Sequence, residues 1–302
     1  MSAVFATAPL SYHNAMITSE RIQAALAARH GLAARDCRVD ALGGGDTGAT
    51  FQVELKGRPG FLKWLPGGDA LDAEADGLSA LAAAIRVPEV LDHDRLAGGQ
   101  ALLLEWLPLA APGEAFWPAF GRALAALHDV AGERFGYHRD NWIGANPQRN
   151  TPDTDWSRFF VEQRLMPQLR WARDRGLGSA VAQRVERVMA AAPAWLEGQA
   201  IRPVLVHGDL WRGNVGTLAG GRPVVFDPAV YYGHAEVDLA MLSLFGRVPE
   251  TFYRAYGKNP GDENFQHRSR LYNLYHLLNH FNLFGGGYTG AVSDSATALL
   301  RY

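Results

Sequence analysis

Cysteine is nearly absent from this chain: Cys37 is the one thiol in 302 residues. That excludes an internal disulfide and any multi-cysteine metal site. Cys37 lies in Arg35-Asp36-Cys37-Arg38-Val39, which reads as the start of a strand, where a free thiol packs as a small hydrophobe. Long apolar runs are missing too. None reaches the ~18 residues that a membrane span needs. No basic segment leads into an apolar core at the beginning of the sequence, so no signal peptide is expected and the expected location is cytoplasmic. There is no charge excess of either sign, with 29 basic residues against 31 acidic ones. This balance removes the electrostatic case for nucleic acid or an anionic membrane surface as the main partner. What is present is apolar: 48% of residues are hydrophobic, enough for a large core or two lobes.

The order of elements follows from periodicity and breakers. Thr18 is a plausible N-cap for a helix over 19–30, with Gly31 as its stop. Strands are expected over 38–42, 50–56 and 60–65, with a turn at Gly57-Arg58-Pro59-Gly60. A helix opens near Asp69, and Leu71, Ala75, Leu78, Ala82 and Ile85 repeat at helical spacing. A further strand is expected over 100–104. Beyond Pro108 helical patterns dominate, at 116–128, 156–175, 179–191 and 268–283, with short strands at 203–206 and 223–226. No internal repeat or low-complexity linker is seen. The fold class is α+β: a small β-rich lobe over 1–107 with one key helix, a connector at Glu105-Trp106-Leu107, and a larger mainly helical lobe over 108–302, sharing a cleft.

The chemistry concentrates in His207-Gly208-Asp209-Leu210-Trp211-Arg212-Gly213-Asn214 and, farther on, Val224-Val225-Phe226-Asp227-Pro228. An Asp, an Asn five positions later and a second Asp behind a short strand are the groups that kinase-type phosphoryl transfer needs, in the order it needs them. Asp209 would orient the attacking hydroxyl and accept its proton. Asn214 and Asp227 would offer oxygens to Mg²⁺, a hard cation. A plain turn would use the same Asp and Asn to satisfy backbone groups. The second Asp behind its own strand tips the balance to the functional reading. His207 is expected to brace the loop rather than move protons.

Lys63, ending a strand in Phe61-Leu62-Lys63, can reach nucleotide phosphates as a point charge. Glu74, on the next helix, can pair with it, with Asp72 and Asp76 as competitors. A solvated strand lysine is the commoner fate, but the apolar neighbours favour the nucleotide role. In Gly43-Gly44-Gly45-Asp46-Thr47-Gly48 the glycines let backbone N–H groups approach phosphate. The candidates there are Gly44, Gly45, Asp46 and Thr47. The stretch is no Walker loop, since no Gly-Lys-Ser/Thr follows, and no dinucleotide fingerprint, since a strand follows. Backbone groups at Glu105 and Leu107 can bond an adenine edge. Trp211, two residues after the proposed base, offers an indole face to a sugar, although a core Trp is the usual alternative. His276 and His280 stand one helical turn apart. No third metal ligand is evident, and His280 is the second substrate candidate. Asp238 opens an apolar helix; an N-cap is the plain alternative, and the expected role is a brace beneath the catalytic loop.

A protein kinase would carry a long activation segment after the second Asp, ending in an Ala-Pro-Glu type anchor. Only ten residues separate Asp227 from Asp238, and Pro228 stands where the switchable Phe would be. The reading is therefore a small-molecule kinase. Its blocks resemble the fructosamine (ketosamine) kinases, within the aminoglycoside-phosphotransferase-like group of the protein-kinase-like fold. The most specific are His207 to Asn214 with Trp211, Phe226-Asp227-Pro228-Ala229-Val230-Tyr231-Tyr232-Gly233-His234, Asp238-Leu239-Ala240-Met241 and Tyr272 to Phe284. Leu104-Glu105-Trp106-Leu107 and Asn141-Trp142-Ile143-Gly144 support them. The resemblance implies ATP- and Mg²⁺-dependent phosphorylation of the sugar 3-hydroxyl of a ketosamine, free or on a protein lysine. The adduct formed is unstable, which links the family to deglycation. It also implies Asp209 as base, Asn214 and Asp227 as metal ligands, and Lys63 with Glu74 as the phosphate-positioning pair. Some relatives carry a redox-sensitive Cys in the glycine-rich loop. This chain has none there, so that regulation does not transfer. Two rivals stay open: a kinase of the same group acting on an aminoglycoside, choline or homoserine, and a non-catalytic nucleotide-binding scaffold.

Overall fold

The computed structural model describes residues 17–44, 48–197 and 200–301. The chain separates into two compact units, Met1–Ala75 with Pro88–Trp106, and Asp76–Val87 with Leu107–Tyr302.

The first unit is built on one antiparallel sheet. Its strands are β1 (Cys37–Gly44), β2 (Ala49–Leu55), β3 (Arg58–Leu65), β4 (Val90–Leu96) and β5 (Gly99–Glu105), in spatial order β1-β2-β3-β5-β4. Alternation puts Val39, Phe51, Val53, Leu62 and Leu103 on one face. Helix α1 (Ser19–Arg29) covers that face with Ile22 and Leu26. Thr18 caps α1 as expected, its hydroxyl accepting the Arg21 N–H at 3.3 Å. At the other end Arg29 forks onto Asp92 and Asp94 of β4 at 2.5–2.8 Å, tying helix to edge strand. Helix α2 (Ala70–Leu81) begins in this unit, where the buried Gln100 side chain accepts the Leu71 N–H. Strand β4 went unforeseen because its exposed, charged residues mask the alternation of an edge strand.

The second unit is mainly helical: α3 (Phe116–Leu127), α4 (Trp156–Phe159), α5 (Met166–Asp174), α6 (Ser179–Leu196), α7 (Glu236–Leu244), α8 (Glu250–Tyr256), α9 (Glu263–Phe284) and α10 (Thr289–Leu299). Between α4 and α5 the expected single helix contains a π-helical turn at Phe160–Leu165. Helix α6 runs past Pro193 to Leu196, beyond the expected end at 191. Strand pairs β6 (Asn141–Ile143) with β7 (Asn146–Gln148), β8 (Val204–Val206) with β11 (Tyr231–Gly233), and β9 (Val215–Leu218) with β10 (Arg222–Val225) carry the loops. Trp156, Phe159, Phe160, Tyr231 and Tyr272 pack ring on ring at the core. Among the described residues no helix is long and apolar enough to cross a membrane.

Candidate active site

Strand β8 is fully buried and delivers His207 at its end. Its partner β11 sets Tyr231 opposite Val206. The chain then turns at Gly208, whose φ is +82°. A Cβ there would stand 2.0 Å from the Ala229 carbonyl oxygen, so glycine is required twice over. Asp238 holds the turn from below. Its buried carboxylate accepts the N–H of His207 at 2.7 Å and of Gly208 at 2.9 Å. The N-cap of α7 is Ala235, so Asp238 braces the loop instead of capping the helix. Burial pushes the Asp238 carboxyl up, but the His128 hydrogen bond and the backbone N–H donors outweigh it and hold it below the usual range. His207 is a brace as well. Its Nε2–H donates to the Phe226 carbonyl at 3.0 Å, and its Nδ1 accepts the Asp209 N–H at 3.3 Å. Burial lowers its pKa, which favours the neutral ring.

Asp209, Asn214 and Asp227 come together in this unit. The Asn214 amide donates to the Asp209 carbonyl at 2.8 Å and to its carboxylate at 3.2 Å. The Phe226 N–H donates to the Asn214 carbonyl at 3.1 Å, which ties the two segments just ahead of Asp227. Asp227 has φ +58°, left-handed and costly for a residue with a Cβ. Burial pushes the Asp209 carboxyl up, the Asp227 charge pushes it further, Asn214 pulls it back, and the net value is about 7. Two carboxylates close enough to disturb each other are what a bound cation relieves. The Asn214 NH₂ is committed to Asp209, so its amide oxygen is the atom left to offer a cation. One amide oxygen and one carboxylate suit Mg²⁺, which fills its other positions with phosphate and water oxygens.

In the first unit Lys63 Nζ lies 2.7 Å from Glu74 Oε1, both largely buried. Of the three acidic candidates on α2, Glu74 makes this pair. Asp76 lies 3.5 Å from the ring of His138 instead. Lys63 sits on β3 opposite Thr50 and Leu102, flanked by two hydrogen-bonded strands. Gly44 ends β1 opposite Ala49. Gly45, Asp46 and Thr47 lie outside the described residues. Glu105 ends β5, and its N–H donates to the Glu89 carbonyl, just ahead of β4, at 2.9 Å, so that donor is spent within the protein. Leu107 opens the second unit, and its carbonyl accepts the Leu109 N–H.

The model of the fructosamine kinase family matches residues 18–302. The chain belongs to the fructosamine kinase family. A probable ketoamine kinase of Synechocystis is 48% identical over 233 residues, 76% of this chain and 78% of that protein. The chloroplastic protein-ribulosamine 3-kinase of Arabidopsis thaliana is 35% identical, over 90% of this chain and 85% of that protein. A solved structure assigned as a fructosamine-3-kinase, from Thermobifida fusca, superposes with a TM-score of 0.80 at 37% identity, covering 87% of this chain and 93% of that one. An aminoglycoside phosphotransferase superposes with a TM-score of 0.66 at 18% identity, covering 93% of this chain and 98% of that one, and so shares the fold. The fold is thus the bilobal protein-kinase-like one. A kinase of this family is a phosphotransferase with an alcohol acceptor and uses ATP.

Within this fructosamine kinase chain the two substrate candidates join one aromatic cluster. Trp211 meets Phe245 edge-on at 6.3 Å, and Phe245 lies 5.0 Å from the ring of His280. His280 Nδ1–H donates to the His276 carbonyl at 2.7 Å, so one ring nitrogen is spent within α9 and the two imidazoles form no simple metal pair. The sequence reading missed three supports. Gln148 donates to the Ala229 carbonyl at 3.0 Å and to Asn141 at 2.9 Å, while Asn141 donates to the Val230 carbonyl at 2.7 Å. Arg164, fully buried, donates to Asn150 at 2.7 Å and stacks 4.0 Å from the centroid of Tyr231. His128 bridges Tyr256 and Asp238 at 2.7 and 3.2 Å. All three act across long stretches of chain. The only local signal was a polar side chain inside an apolar pattern.

Proposed function

We propose that this kinase transfers the γ-phosphoryl group of ATP to the 3-hydroxyl of ketosamines, free or carried on protein lysines, as a step that frees the amine from its sugar. The observation that carries the reading is the grouping of Asp209 and Asn214, on one braced loop, with Asp227, on a second segment tied to it, in a chain of this family. Asp209 orients the acceptor hydroxyl and takes its proton. The loose transition state demands little prior deprotonation, so a carboxylate near pH 7 suffices. Asn214 and Asp227 hold Mg²⁺, and Lys63, steadied by Glu74, positions the nucleotide phosphates. Bound Mg²⁺·ATP supplies the phosphoryl group and neutralises charge as it moves. The connector at 105–107 meets the adenine edge through backbone groups other than the Glu105 N–H, which is already engaged, and Trp211 offers its face to the sugar.

The test is phosphoryl transfer with a panel of ribulose-, erythrulose- and fructose-lysines, using wild type and Asp209→Asn. Wild type is expected to turn over at least one of them. The variant should lose roughly two to four orders of magnitude in kcat yet keep Mg·ATP binding. Near-normal turnover by the variant would remove Asp209 as base. Activity on an aminoglycoside or choline alone would replace the substrate class. Nucleotide binding without turnover of any acceptor would make the chain a scaffold.

A further inference from the structure

Large exposed hydrophobics among the described residues are Leu42, Leu91, Leu109, Met166, Phe245 and Phe284. The two aromatic ones lie together. Phe245 is 44% exposed and Phe284 50%. The His280 ring joins them at 5.0 and 5.6 Å, and Tyr288 closes the group, 5.2 Å from His280 and 6.1 Å from Phe284. Trp211, whose N–H donates to the Asp209 carbonyl, sits at the other end against Phe245. An aromatic strip therefore leads from beside the proposed base to the surface. Its far end lies where a helix stops. Helix α9 stops at Gly285 with φ +83°, and a short 3₁₀ turn, Gly286–Tyr288, returns Tyr288 over the helix end.

We infer that Phe245, Phe284 and Tyr288 bind the carbon chain of the amine to which the sugar is attached, and so set a preference for ketosamines of long alkylamines, such as a lysine side chain. The inference rests on the ketosamine reading. In such a substrate the nitrogen is on C1, two carbons from the reacting 3-hydroxyl. Its substituent must therefore leave the site close to the base. Trp211, the aromatic nearest the base in the chain, starts the strip. The amine is a cation at neutral pH, and the faces of aromatic rings attract cations. The methylenes beyond it gain from contact with exposed apolar rings. A short amine shares the cation but lacks the methylenes, so chain length isolates the apolar contact.

The experiment is a series of ketopentose adducts of methylamine, propylamine and hexylamine, compared by kcat/KM in wild type, Phe284→Ala and Tyr288→Ala. In wild type kcat/KM should rise roughly two- to threefold per methylene, less than full burial would give. In either variant the hexyl-to-methyl ratio should fall toward one, with a Phe284→Leu variant keeping part of the preference. The ratio is taken within each protein, so a general loss of activity does not mimic the effect. A wild-type ratio of one, or ratios unmoved by both substitutions, would overturn the inference and leave the ketosamine reading standing. No turnover of any adduct would overturn both.

Discussion

Asp209 is where burial and function meet. Its carboxyl is pushed from an ordinary 3.8 to about 7, first by burial and then by Asp227. The folded protein therefore binds a proton there that the unfolded chain has lost. Between pH ~4 and ~7 the metal-free protein loses the stability associated with that proton as pH rises, and the loss is complete above the folded value. Asp209→Asn cannot ionise. In chelator it is expected to melt at a higher temperature than wild type at pH 8, with the gap narrowing at pH 5. Melting curves at the two pH values check this, and an identical gap at both would refute it. The residue was visible in sequence because the His-Gly-Asp block is local. Its pKa was not, because the pressure on it comes first from burial in the folded chain and then from Asp227, eighteen positions away.

At the level of elements, the catalytic turn is held by a helix that follows it in the chain. Asp238 of α7 accepts two backbone N–H groups, and His128, at the end of α3, fixes the same carboxylate. Asp238→Asn would set an NH₂ against one of those buried donors. It is expected to cost about 1–3 kcal/mol in denaturant unfolding, the range for a buried hydrogen-bonding group left unmet. A variant as stable as wild type would show that the brace is dispensable. Strands β1, β2, β3, β5, β8 and β10 and the long helices were legible from alternation and helical spacing, whereas the short strands β6, β7, β9 and β11 were not. The edge strand β4, the seven-residue α8 and the small-residue α10 were not, since each buries too little to write a clear period. The support network of Gln148, Asn150 and Arg164 was illegible for another reason. Its members face carbonyls and side chains from separate loops, and no spacing rule connects them.

For the whole molecule, the proposed metal ligands are an amide and a carboxylate placed on two segments that protein hydrogen bonds already hold together. The metal should thus serve turnover and not the fold. Chelation is expected to abolish phosphoryl transfer, and added Mg²⁺ to restore it, while unfolding of the chelated protein stays cooperative. Full turnover in chelator would contradict the assignment of Asn214 and Asp227, and a collapse of cooperativity would contradict the separation of metal from fold.

The sequence by itself determined the reaction class, because the groups that handle a phosphoryl transfer lie within short blocks whose order is their function. It also marked Lys63 and Glu74 as a pair, since a strand followed by one helix leaves few partners. The tertiary structure puts Glu74, not Asp72 or Asp76, on Lys63 and sets Asp238 under the loop, and it alone gathered Trp211, Phe245, His280, Phe284 and Tyr288 into one strip. Those outcomes depend on which side chains meet across distant parts of the chain. Contact of that kind is decided by packing, which no local pattern records.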